Sequence, residues 1–591
     1  MTESLITQHI DLWTSAIEAK STAGRGSKNK FDLYGIKKLR ELILELAVRG
    51  KLVPQDPTDE PASVLLEKIA AEKAQLIKEK KIKKTAELSD ITDEEKPFEL
   101  PYGWHWLYLQ DAAKYIQRGK SPSYSEIGDV RVISQKCIQW KGFELDAAKF
   151  INNASVSSYQ DERFLLSNDI LWNSTGTGTV GRVCLVPDQL NIKLVADSHV
   201  TVIRVININP KYLTSYISSS SVQNRISPSH ERSLVSGSTK QVELNTTSIA
   251  SLIIPIPPYE EQLRIVTKID ELMALCDQLE QQTLTSVDAH ATLVETLLET
   301  LTNSADAAEL EQNWARISEH FDTLFTTEQS IDALKQTILQ LAVMGKLVRQ
   351  DPTDEPASVL LEKIAAEKAQ LIKDKKIKKE KPLPPISDDE KPFELPQGWE
   401  WCRLQDAIDV RDGTHDSPKN ETGENTYPLV TSKDFVNGDI NFDGAKRISQ
   451  KDHAEISKRS LVEKWDILFS MIGGNIGNQV MVKNDRSFSI KNLALFKYFS
   501  RNLTYPFYVE LFTKHLAMSL QDNASGGAQP FVSLGVLRNL VFALPPFREQ
   551  EKIVSKVNEL LSLCEQLKNY LQSTQQTQLY LTDAIVDEAL S

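Results

Sequence analysis

Residues 51–84 read KLVPQDPTDEPASVLLEKIAAEKAQLIKEKKIKK, and residues 346–379 repeat this stretch at an offset of 295. The two copies differ at only two positions, which are Pro54/Arg349 and Glu79/Asp374. At the same offset, the similarity continues backward into the preceding apolar stretch and forward to the pair Trp106/Trp401. A repeat of this length predicts that the chain contains two copies of one structural unit.

A second duplicated motif follows each of two dissimilar blocks. It reads PPYEEQ at residues 257–262 and PPFREQ at residues 545–550, an offset of 288. After each copy, apolar residues alternate steps of four and three, which is the 3.5-residue period of a coiled-coil seam. The seam residues are Ile265, Ile269, Leu272, Cys276 and Leu279 in the first copy, and Ile553, Val557, Leu560, Cys564 and Leu567 in the second. Because prolines and glutamates suit a helix start, each motif predicts a long helix, the first of which we expect to reach Thr302.

The composition is that of an ordinary globular protein, with 41% hydrophobic and 25% charged residues in a chain of 591. No run approaches the roughly 18 apolar residues of a membrane-spanning helix, and residues 1–30 lack a secretion pattern. The five cysteines are scattered without a C-x-x-C pair, which favours reduced, structural thiols over a disulfide framework or a zinc site. We therefore expect a cytoplasmic protein without a metal site.

The net charge of −13 is unevenly distributed. Residues 113–252 carry +4 and residues 408–540 carry +1, which leaves −18 on the repeated remainder. Nucleic-acid binding needs Lys and Arg to neutralise phosphates. Since the negative charge lies outside the two dissimilar blocks, it does not exclude a nucleic-acid partner for them.

Apolar periodicity divides the rest of the chain into helical and strand-rich stretches. Helical spacing predicts helices at residues 5–19, 34–48, 62–84 and, less regularly, 305–327, with Gly50 placed to end the second. Short β-type runs occur at residues 130–133, 170–172, 180–186, 199–205, 427–430, 466–469, 479–482 and 493–496. The two dissimilar blocks therefore look like compact α+β domains, although they share little beyond the tripeptide Asp-Ile-Leu at 169–171 and 466–468.

These patterns predict an α+β fold in which two globular α/β domains are separated by long antiparallel coiled-coil helices, with a pseudo-two-fold internal repeat. The expected boundaries are an N-terminal helical arm at 1–38, a repeated helical region at 39–95, a first globular domain at 96–256, an exit coiled-coil helix at 257–303, a central helical region with the second repeat at 304–390, a second globular domain at 391–544, and a C-terminal coiled-coil helix at 545–591. We refer to residues 96–256 and 391–544 as the first and second variable domains.

Two different domains on one repeated scaffold are suited to bind two different targets at a fixed separation. If each domain reads a few base pairs of DNA, the composite site is bipartite and asymmetric, and the helices set an unread spacer with about 35 Å between half-site centres. The repeat also keeps four charged residues, Glu67, Lys68, Glu72 and Lys73, unchanged in both copies. We expect these side chains to be exposed and to bind the same partner twice, although a recent duplication would also explain their identity.

This order of segments resembles the specificity subunit of type I restriction-modification systems. The motifs that carry the resemblance are LAVRGKL at 46–52, FELPYGW at 98–104 and PPYEEQ at 257–262, with counterparts that begin at Leu341, Phe393 and Pro545. The resemblance covers nearly the whole chain. It implies two target recognition domains that read the halves of a split double-stranded DNA site, and repeated helices that dock two methyltransferase subunits. Restriction/translocase subunits would join this core, and AdoMet, ATP and Mg would be bound by the partner subunits, with no cofactor in this chain.

The chain lacks the motifs of the partner enzymes. An adenine methyltransferase needs Asn or Asp before Pro-Pro-aromatic, whereas Ile256 and Leu544 stand there, and no G-x-x-x-x-G-K-[ST] phosphate loop is present. We therefore expect a non-catalytic subunit. Two alternatives stay open at this point, a fused restriction-modification enzyme and a two-headed interaction scaffold that binds no DNA. Duplex binding with steep salt dependence would exclude the scaffold.

The candidate DNA contacts lie in donor-rich loops of the variable domains. Backbone amides of glycine-rich loops can approach phosphate, and Lys, Arg, Asn and Gln can read base edges. The predicted residues are Arg118, Lys120, Ser174, Thr175, Thr177, Ser238, Thr239 and Lys240 in the first domain, and Thr414, His415, Ser417, Asn475 and Gln529 in the second. The alternative for each loop, and above all for His415, is an ordinary surface turn.

Overall fold

The computed structural model describes residues 6–19, 31–176, 178–188, 190, 192–238, 241–305, 307–523 and 531–591. Four candidate contacts, Thr177, Thr239, Lys240 and Gln529, lie outside the described residues, as does the side chain of Ser238. The chain divides into two compact units, Met1–Ser286 with Thr574–Ser591 and Val287–Ser573. Within the described ranges, no helix combines the length and apolar character needed to cross a membrane.

The helices include two of more than 40 residues. Those that begin in the first unit are α1 Ile10–Ser15, α2 Tyr34–Val48, α3 Ala62–Lys78, α4 Leu109–Ala112, α5 Asn153–Val156, α6 Pro210–Ser218, α7 Ser220–Gln223, α8 Thr246–Ala250 and α9 Tyr259–Asn303. Those that begin in the second unit are α10 Ala307–Glu319, α11 Phe321–Leu324, α12 Glu328–Val343, α13 Ala357–Lys373, α14 Leu404–Ala407, α15 Gln450–Ser460, α16 Pro506–Asn523, α17 Leu534–Asn539 and α18 Phe547–Leu590.

The helix predicted at 34–48 is confirmed as α2, and Gly50 follows it with the positive φ of 68° that ends many helices. The helix predicted at 62–84 is shorter, because Lys80 takes a left-handed φ of 56° and turns the chain away after Lys78. The N-terminal helix also ends early, at Ser15.

That early end has a local cause in strand pairing. Residues Glu18–Ala19 form a short strand, β1, that pairs with Phe31–Asp32, β2. A residue cannot keep helical dihedral angles and join a β-ladder at the same time, so the predicted helix at 5–19 cannot reach Ala19.

The first variable domain contains two four-stranded sheets. Its strands are β3 His105–Tyr108, β4 Ala113–Arg118, β5 Tyr124–Ser125, β6 Val130–Ile133, β7 Ile138–Gln139, β8 Gly142–Phe143, β9 Lys149–Ile151, β10 Ile170–Asn173, β11 Val183–Leu185, β12 Lys193–Ala196, β13 Val200–Val205, β14 Val235–Ser238, β15 Gln241–Leu244 and β16 Ile253–Ile256. The antiparallel sheet has the order β11-β10-β13-β4, and the mixed sheet has the order β12-β6-β9-β5. The β-type runs predicted in this block therefore correspond to β6, β10, β11 and β13, of which all but the edge strand β11 are inner strands.

The second variable domain has the same core topology despite its dissimilar sequence. Its strands are β17 Glu400–Arg403, β18 Asp409–Asp412, β19 Thr426–Val430, β20 Phe435–Val436, β21 Asp439–Ile440, β22 Lys446–Ser449, β23 Ile467–Ser470, β24 Gln479–Met481, β25 Ser489–Ile490, β26 Leu493–Lys497 and β27 Val541–Leu544. The antiparallel sheet β24-β23-β26-β18 corresponds to β11-β10-β13-β4, and the parallel pair β19·β25 corresponds to β6·β12. The α+β class and the internal repeat are thus confirmed.

The duplicated motifs contact each other within each unit. In the first unit, the buried indole Nε1 of Trp104 donates to Oε2 of Glu261 over 3.0 Å, and Gln55 Nε2 donates to Oε1 of the same carboxylate over 3.2 Å. In the second unit, Gln350 Nε2 donates to Glu549 Oε1, also over 3.2 Å. The glutamate of each Pro-Pro-aromatic-x-Glu-Gln motif therefore joins the start of a long helix to the repeated region.

The glutamine of the same motif joins each long helix to its variable domain. The Gln262 side chain is fully buried, accepts from the amide of Asn209 over 2.9 Å and donates to the carbonyl of Pro257 over 3.0 Å. Gln550 does the same, with the amide of Tyr505 at 2.8 Å and the carbonyl of Pro545 at 3.0 Å. The motif is a structural junction as well as a helix start.

The predicted seam residues are mostly buried and pack on the repeated helix of the same unit. In the first unit they share a core with α2, and Arg40 of α2 donates to Asp277 over 2.7 Å and to Glu280 over 2.9 Å. In the second unit, Lys335 of α12 donates to Glu565 over 2.5 Å. Together with the glutamine–glutamate contacts at the helix starts, these pairs show that α2 runs antiparallel to the beginning of α9, and α12 antiparallel to the beginning of α18.

Equivalent lysines bind the carboxyl ends of the long helices. Lys51 Nζ donates to the carbonyl of Leu590 over 3.0 Å in the first unit. In the second unit, Lys346 Nζ donates to the carbonyls of Thr302 and Ser304 over 2.8 and 2.9 Å. A cation at this end of a helix satisfies unpaired carbonyls and interacts favourably with the helix dipole.

One expectation about the repeat is wrong. Lys73 is buried rather than exposed, because its ammonium reaches the carbonyl of Gln110 in the short helix α4 and the carboxylate of Asp111. Lys368 makes the equivalent contact with the carbonyl of Gln405, over 2.9 Å. The identity of this lysine in both copies is therefore explained by packing alone.

Candidate DNA interface

The candidate contacts of the first variable domain lie where strands of both sheets end at one edge. β4 ends at Arg118 and β10 at Asn173, and the antiparallel strand β13 begins between them at Val200. The parallel strands β6 and β12 end nearby, since the amide of Lys120 donates to the carbonyl of Ala196 over 3.1 Å. The loops that follow these strands therefore form one surface, which we call the strand-end face.

Arg118 binds the neighbouring hairpin on this face. Its guanidinium donates to Glu243 of β15 over 2.6 Å and to the carbonyl of Leu244 over 3.4 Å. The hairpin strand β14 carries Ser238, whose backbone pairs with Gln241. The structure thus places the Arg118 loop and the predicted Ser238 segment side by side. Lys120 remains exposed, and its ammonium donates to the hydroxyl of Ser158 over 2.9 Å.

Ser174 and Thr175 are neighbours in sequence but point in different directions. The Ser174 side chain is fully buried, with its hydroxyl 2.6 Å from that of Thr201, so no base can reach it in this arrangement. The Thr175 hydroxyl lies 2.6 Å from Nδ1 of His199 and accepts from Nε2 of Gln135 over 3.1 Å. Thr175 therefore belongs to a polar cluster on the strand-end face, whereas Ser174 holds the strands together.

Three predicted residues of the second variable domain lie on the equivalent face. Thr414 pairs with Lys491 through an isolated β-bridge, and the Lys491 ammonium donates to the hydroxyl of Ser417. The imidazole of His415 lies between Asn492 Oδ1 and Asp412 Oδ2, with 3.1 Å to each oxygen.

Asn475 lies in a different loop of this domain. It is exposed at the end of the 3-10 turn Gly473–Asn475, after strand β23. Because β23 ends beside the start of β26, this turn follows the same sheet edge as the other candidates.

Strand register relates the two faces position by position. Thr201 of β13 pairs with Arg118, and its counterpart Ala494 of β26 pairs with Asp412. Arg118 of the first domain therefore corresponds to Asp412 of the second. Arg118 is basic and binds Glu243, whereas Asp412 is acidic and binds Arg459. The two domains therefore present different side chains at equivalent positions of the same strand arrangement.

A glycine follows each of these two positions because the chains approach too closely for a side chain. A Cβ on Gly119 would collide with the carbonyl oxygen of Ala196, and a Cβ on Gly413 with that of Ile490. The shared glycine fixes where the loops leave the sheet in both domains.

Sequence reasoning missed several polar residues of the strand-end faces. Gln135 and His199 belong to the first domain, and Lys491 and Asn492 belong to the second. Each lies within three residues of a β-type run or, for His199, at the first position of one. The ends of the predicted β-type runs could therefore have identified these residues, because the residues that flank a strand lie in the loops at the edge of the sheet.

Buried ion pairs join the central strands at the opposite end of the sheet. Arg204 donates to both oxygens of Asp169 over 2.7 and 2.9 Å, and Lys497 donates to Asp466 over 2.6 Å. Burial raises the pKa of Asp169 despite the guanidinium, and it raises the pKa of Asp466 to about 6 despite the ammonium of Lys497. These aspartates open the shared Asp-Ile-Leu tripeptide, so the short similarity between the two domains has a structural role.

The family model for the type I restriction modification DNA specificity domain matches the chain twice, at residues 102–289 and 396–574. The two matches cover more than half of the chain and contain both strand-end faces. The chain therefore belongs to the family of type I restriction-modification specificity subunits, with two target recognition domains.

Relatives match over the whole length. The specificity subunit of the type I restriction enzyme EcoAI from Escherichia coli is 43% identical over 612 residues, with 100% of each chain covered. The specificity subunit of EcoEI, also from Escherichia coli, is 42% identical over 621 residues with the same coverage. A chain from a structural study of complex assembly and conformational transition of the type I R-M system is 18% identical, with a TM-score of 0.47, and the match covers 84% of this chain and 99% of that one.

Proposed function

We propose that this specificity subunit reads a bipartite, asymmetric DNA site, with one half for each variable domain and a spacer set by the helices. The observation that carries this proposal is the pair of strand-end faces, which share one strand order and one glycine position but present unlike side chains. Two different readers on one repeated scaffold favour two different half-sites at a constant separation.

The predicted contacts divide into two classes on this proposal. Lys120, Thr414 and the loops around Ser238 and Asn475 contact the phosphate backbone and base edges, since donors in loops can approach both. Arg118, at the end of β4, contacts phosphate while its ion pair with Glu243 holds the neighbouring hairpin. Thr175, His415 and Ser417 are bound to neighbouring side chains and position them. Ser174 is excluded from direct contact by its burial.

The chain itself is non-catalytic on this proposal, and partner subunits carry out methylation and cleavage. Its relatives are named specificity subunits, and the sequence contains neither an Asn or Asp before Pro-Pro-aromatic nor a phosphate loop. Two methyltransferase subunits with AdoMet, and restriction/translocase subunits with ATP and Mg, would complete the assembly.

Each methyltransferase subunit would dock on one copy of the repeated helix. Both copies expose the same side chains, which we call the repeat face: Ser63, Glu67, Ala70, Ala71, Ala74 and Lys78 on α3, and Ser358, Glu362, Ala365, Ala366, Ala369 and Lys373 on α13. Two identical surfaces in one chain suit two copies of one partner.

Matched substitutions on the repeat face test this docking. Ala70→Arg and Ala365→Arg each place a long cation on one copy, and we expect each variant to retain one methyltransferase subunit and the double variant to retain none, as measured by native mass spectrometry of the purified complex. Glu60→Ala, outside the face, serves as the control. Retention of two subunits by the double variant would place the docking surface elsewhere.

The experiment that tests the proposed recognition is selection of bound sequences from random duplex DNA, with the tagged chain purified together with its partner subunits. We expect a split motif with two unlike halves and one constant spacer, and binding that weakens steeply with salt. Enrichment of a continuous motif, or no enrichment at all, would contradict the proposal.

A further inference from the structure

The residue directly before the central strand of each variable domain occupies the same place on the strand-end face. This position, which we call the pre-strand position, is His199 before β13 and Asn492 before β26. Both side chains are held from a neighbouring loop: His199 by the hydroxyl of Thr175 at 2.6 Å, and Asn492 by the imidazole of His415 at 3.1 Å. Two dissimilar domains thus place an oriented polar group at one equivalent point.

A chain of hydrogen bonds determines which atom His199 presents outward. Gln135 Nε2 donates to the Thr175 hydroxyl oxygen over 3.1 Å, so the hydroxyl hydrogen is free to be donated to Nδ1 of His199. An imidazole that accepts at Nδ1 carries its proton on Nε2. Because Nδ1 is engaged by Thr175, the exposed His199 presents Nε2 to whatever lies in front of this face, and in the tautomer in which the hydroxyl donates to Nδ1 that nitrogen is an N–H donor.

The surroundings of His199 are suited to a nucleic acid. A cavity of about 330 Å³ opens beside it, lined in part by Tyr124, Gln135, Lys136, Lys149 and Asp197. The carboxylate of Asp197 is buried, accepts from the His199 amide over 2.6 Å and from the Tyr124 hydroxyl over 3.0 Å, and so supports the histidine loop. Two lysines among the residues that line the cavity provide the positive charge that phosphates require.

We propose that the pre-strand position determines one base pair in each half-site. His199 donates from Nε2 to an acceptor on a base edge, such as O6 or N7 of guanine or O4 of thymine. Asn492, whose Oδ1 lies 3.1 Å from Nδ1 of His415, places the Nδ2 end of its amide at the equivalent point. Lys136 and Lys149 contact phosphate and do not discriminate between bases. This inference rests on the proposed function, because it requires that the strand-end faces bind DNA.

The test is sequence selection with the complex of the chain and its partner subunits, using His199→Ala and Asn492→Ala. We expect each variant to lose preference at one base pair of its own half-site by about tenfold or more, and the other half and the spacer to stay unchanged as an internal control. His199→Gln, which keeps a donor of similar reach, should retain more discrimination than alanine.

Two further variants separate base reading from positioning and from phosphate contact. Thr175→Val removes the hydroxyl that orients His199, so it should weaken discrimination at the same base pair. Lys136→Ala should weaken binding to all sequences alike and reduce the slope of log affinity against log salt by about 1.

The outcomes distinguish this inference from the proposed function. If the unmodified complex selects no split site, the proposed function fails. If it selects one, and His199→Ala and Asn492→Ala leave every base preference intact while circular dichroism shows folded protein, the pre-strand assignment fails. Loss of one base pair in the wrong half-site would also overturn it.

Discussion

Asp169 and Asp466 occupy the same position in the two variable domains but face different cations. Arg204 binds Asp169 through two parallel hydrogen bonds, whereas Lys497 binds Asp466 through one, with Glu463 also on the lysine at 2.8 Å. A guanidinium matches both carboxylate oxygens and an ammonium does not. Burial raises the pKa of both carboxyls despite these cations, and it raises that of Asp466 to about 6.

This raised pKa predicts a pH dependence of stability. The folded state binds a proton on Asp466 more tightly than the unfolded state, so the contribution of this carboxyl is greatest below its ordinary pKa of 3.8 and is lost as pH rises through about 6. Relative to Asp466→Asn, the unmodified protein should lose about 1 kcal/mol of unfolding free energy between pH 5 and pH 7. Urea unfolding at both pH values measures this difference.

Asp485→Asn, which changes an exposed aspartate of the same domain, is the control and should leave the pH profile unaltered. A constant difference between the unmodified protein and Asp466→Asn at the two pH values would show that Asp466 has an ordinary pKa.

At the level of residues, the sequence identified the loops better than the side chains within them. Ser174 and Thr175 both lie in a donor-rich stretch, yet Ser174 is fully buried and Thr175 is only half-buried, because neighbouring residues at a strand end face opposite ways. His199 was hidden inside a β-type run, since histidine and threonine fit a strand pattern as readily as a loop. Which atom faces outward depends on contacts from residues distant in sequence.

At the level of elements, the junction between each long helix and its variable domain depends on one glutamine. Gln262→Ala and Gln550→Ala each remove two hydrogen bonds at a fully buried position, and we expect each to cost about 2 kcal/mol. Hydrogen exchange should rise at the start of α9 in the first variant and at the start of α18 in the second.

Each variant serves as the control for the other, because the two glutamines lie in different units. Equal protection at both helix starts in both variants would contradict the assigned junctions. The helix starts themselves were predictable from the proline motif. The partners of its glutamate and glutamine were not, since nothing in a local pattern specifies a contact with Trp104 or Asn209.

At the level of the whole molecule, the repeat predicted two equivalent units and the structure contains them. Strand order in the variable domains could not be read from their sequences, which share little beyond the Asp-Ile-Leu tripeptide. The strand order that the two domains share is recognised only from the strand pairing in the structure, because many different sequences are compatible with the same pattern of buried positions.

Deletion of residues 265–279 tests the role of the helices in spacing the half-sites. It removes the buried seam that packs on α2, so the complex should lose its constant spacer or fail to assemble. Each half-specificity should persist when its variable domain is grafted onto an intact scaffold. Selection from random DNA measures both, and an unchanged spacer in the deletion protein would show that the helices do not set it.

The two long helices also affect the order in which the chain can fold during synthesis. The first unit includes residues 574–591, and the carbonyl of Leu590 accepts a hydrogen bond from the ammonium of Lys51. The second unit is continuous from residue 287 to residue 573. At about 5–20 residues per second, a ribosome takes roughly 15–60 s to make the intervening segment. The part of the protein made first is therefore completed last, and until then the core that α2 shares with the start of α9 lacks the apolar residues that pack against it from the end of α18, Ile585, Val586, Ala589 and Leu590.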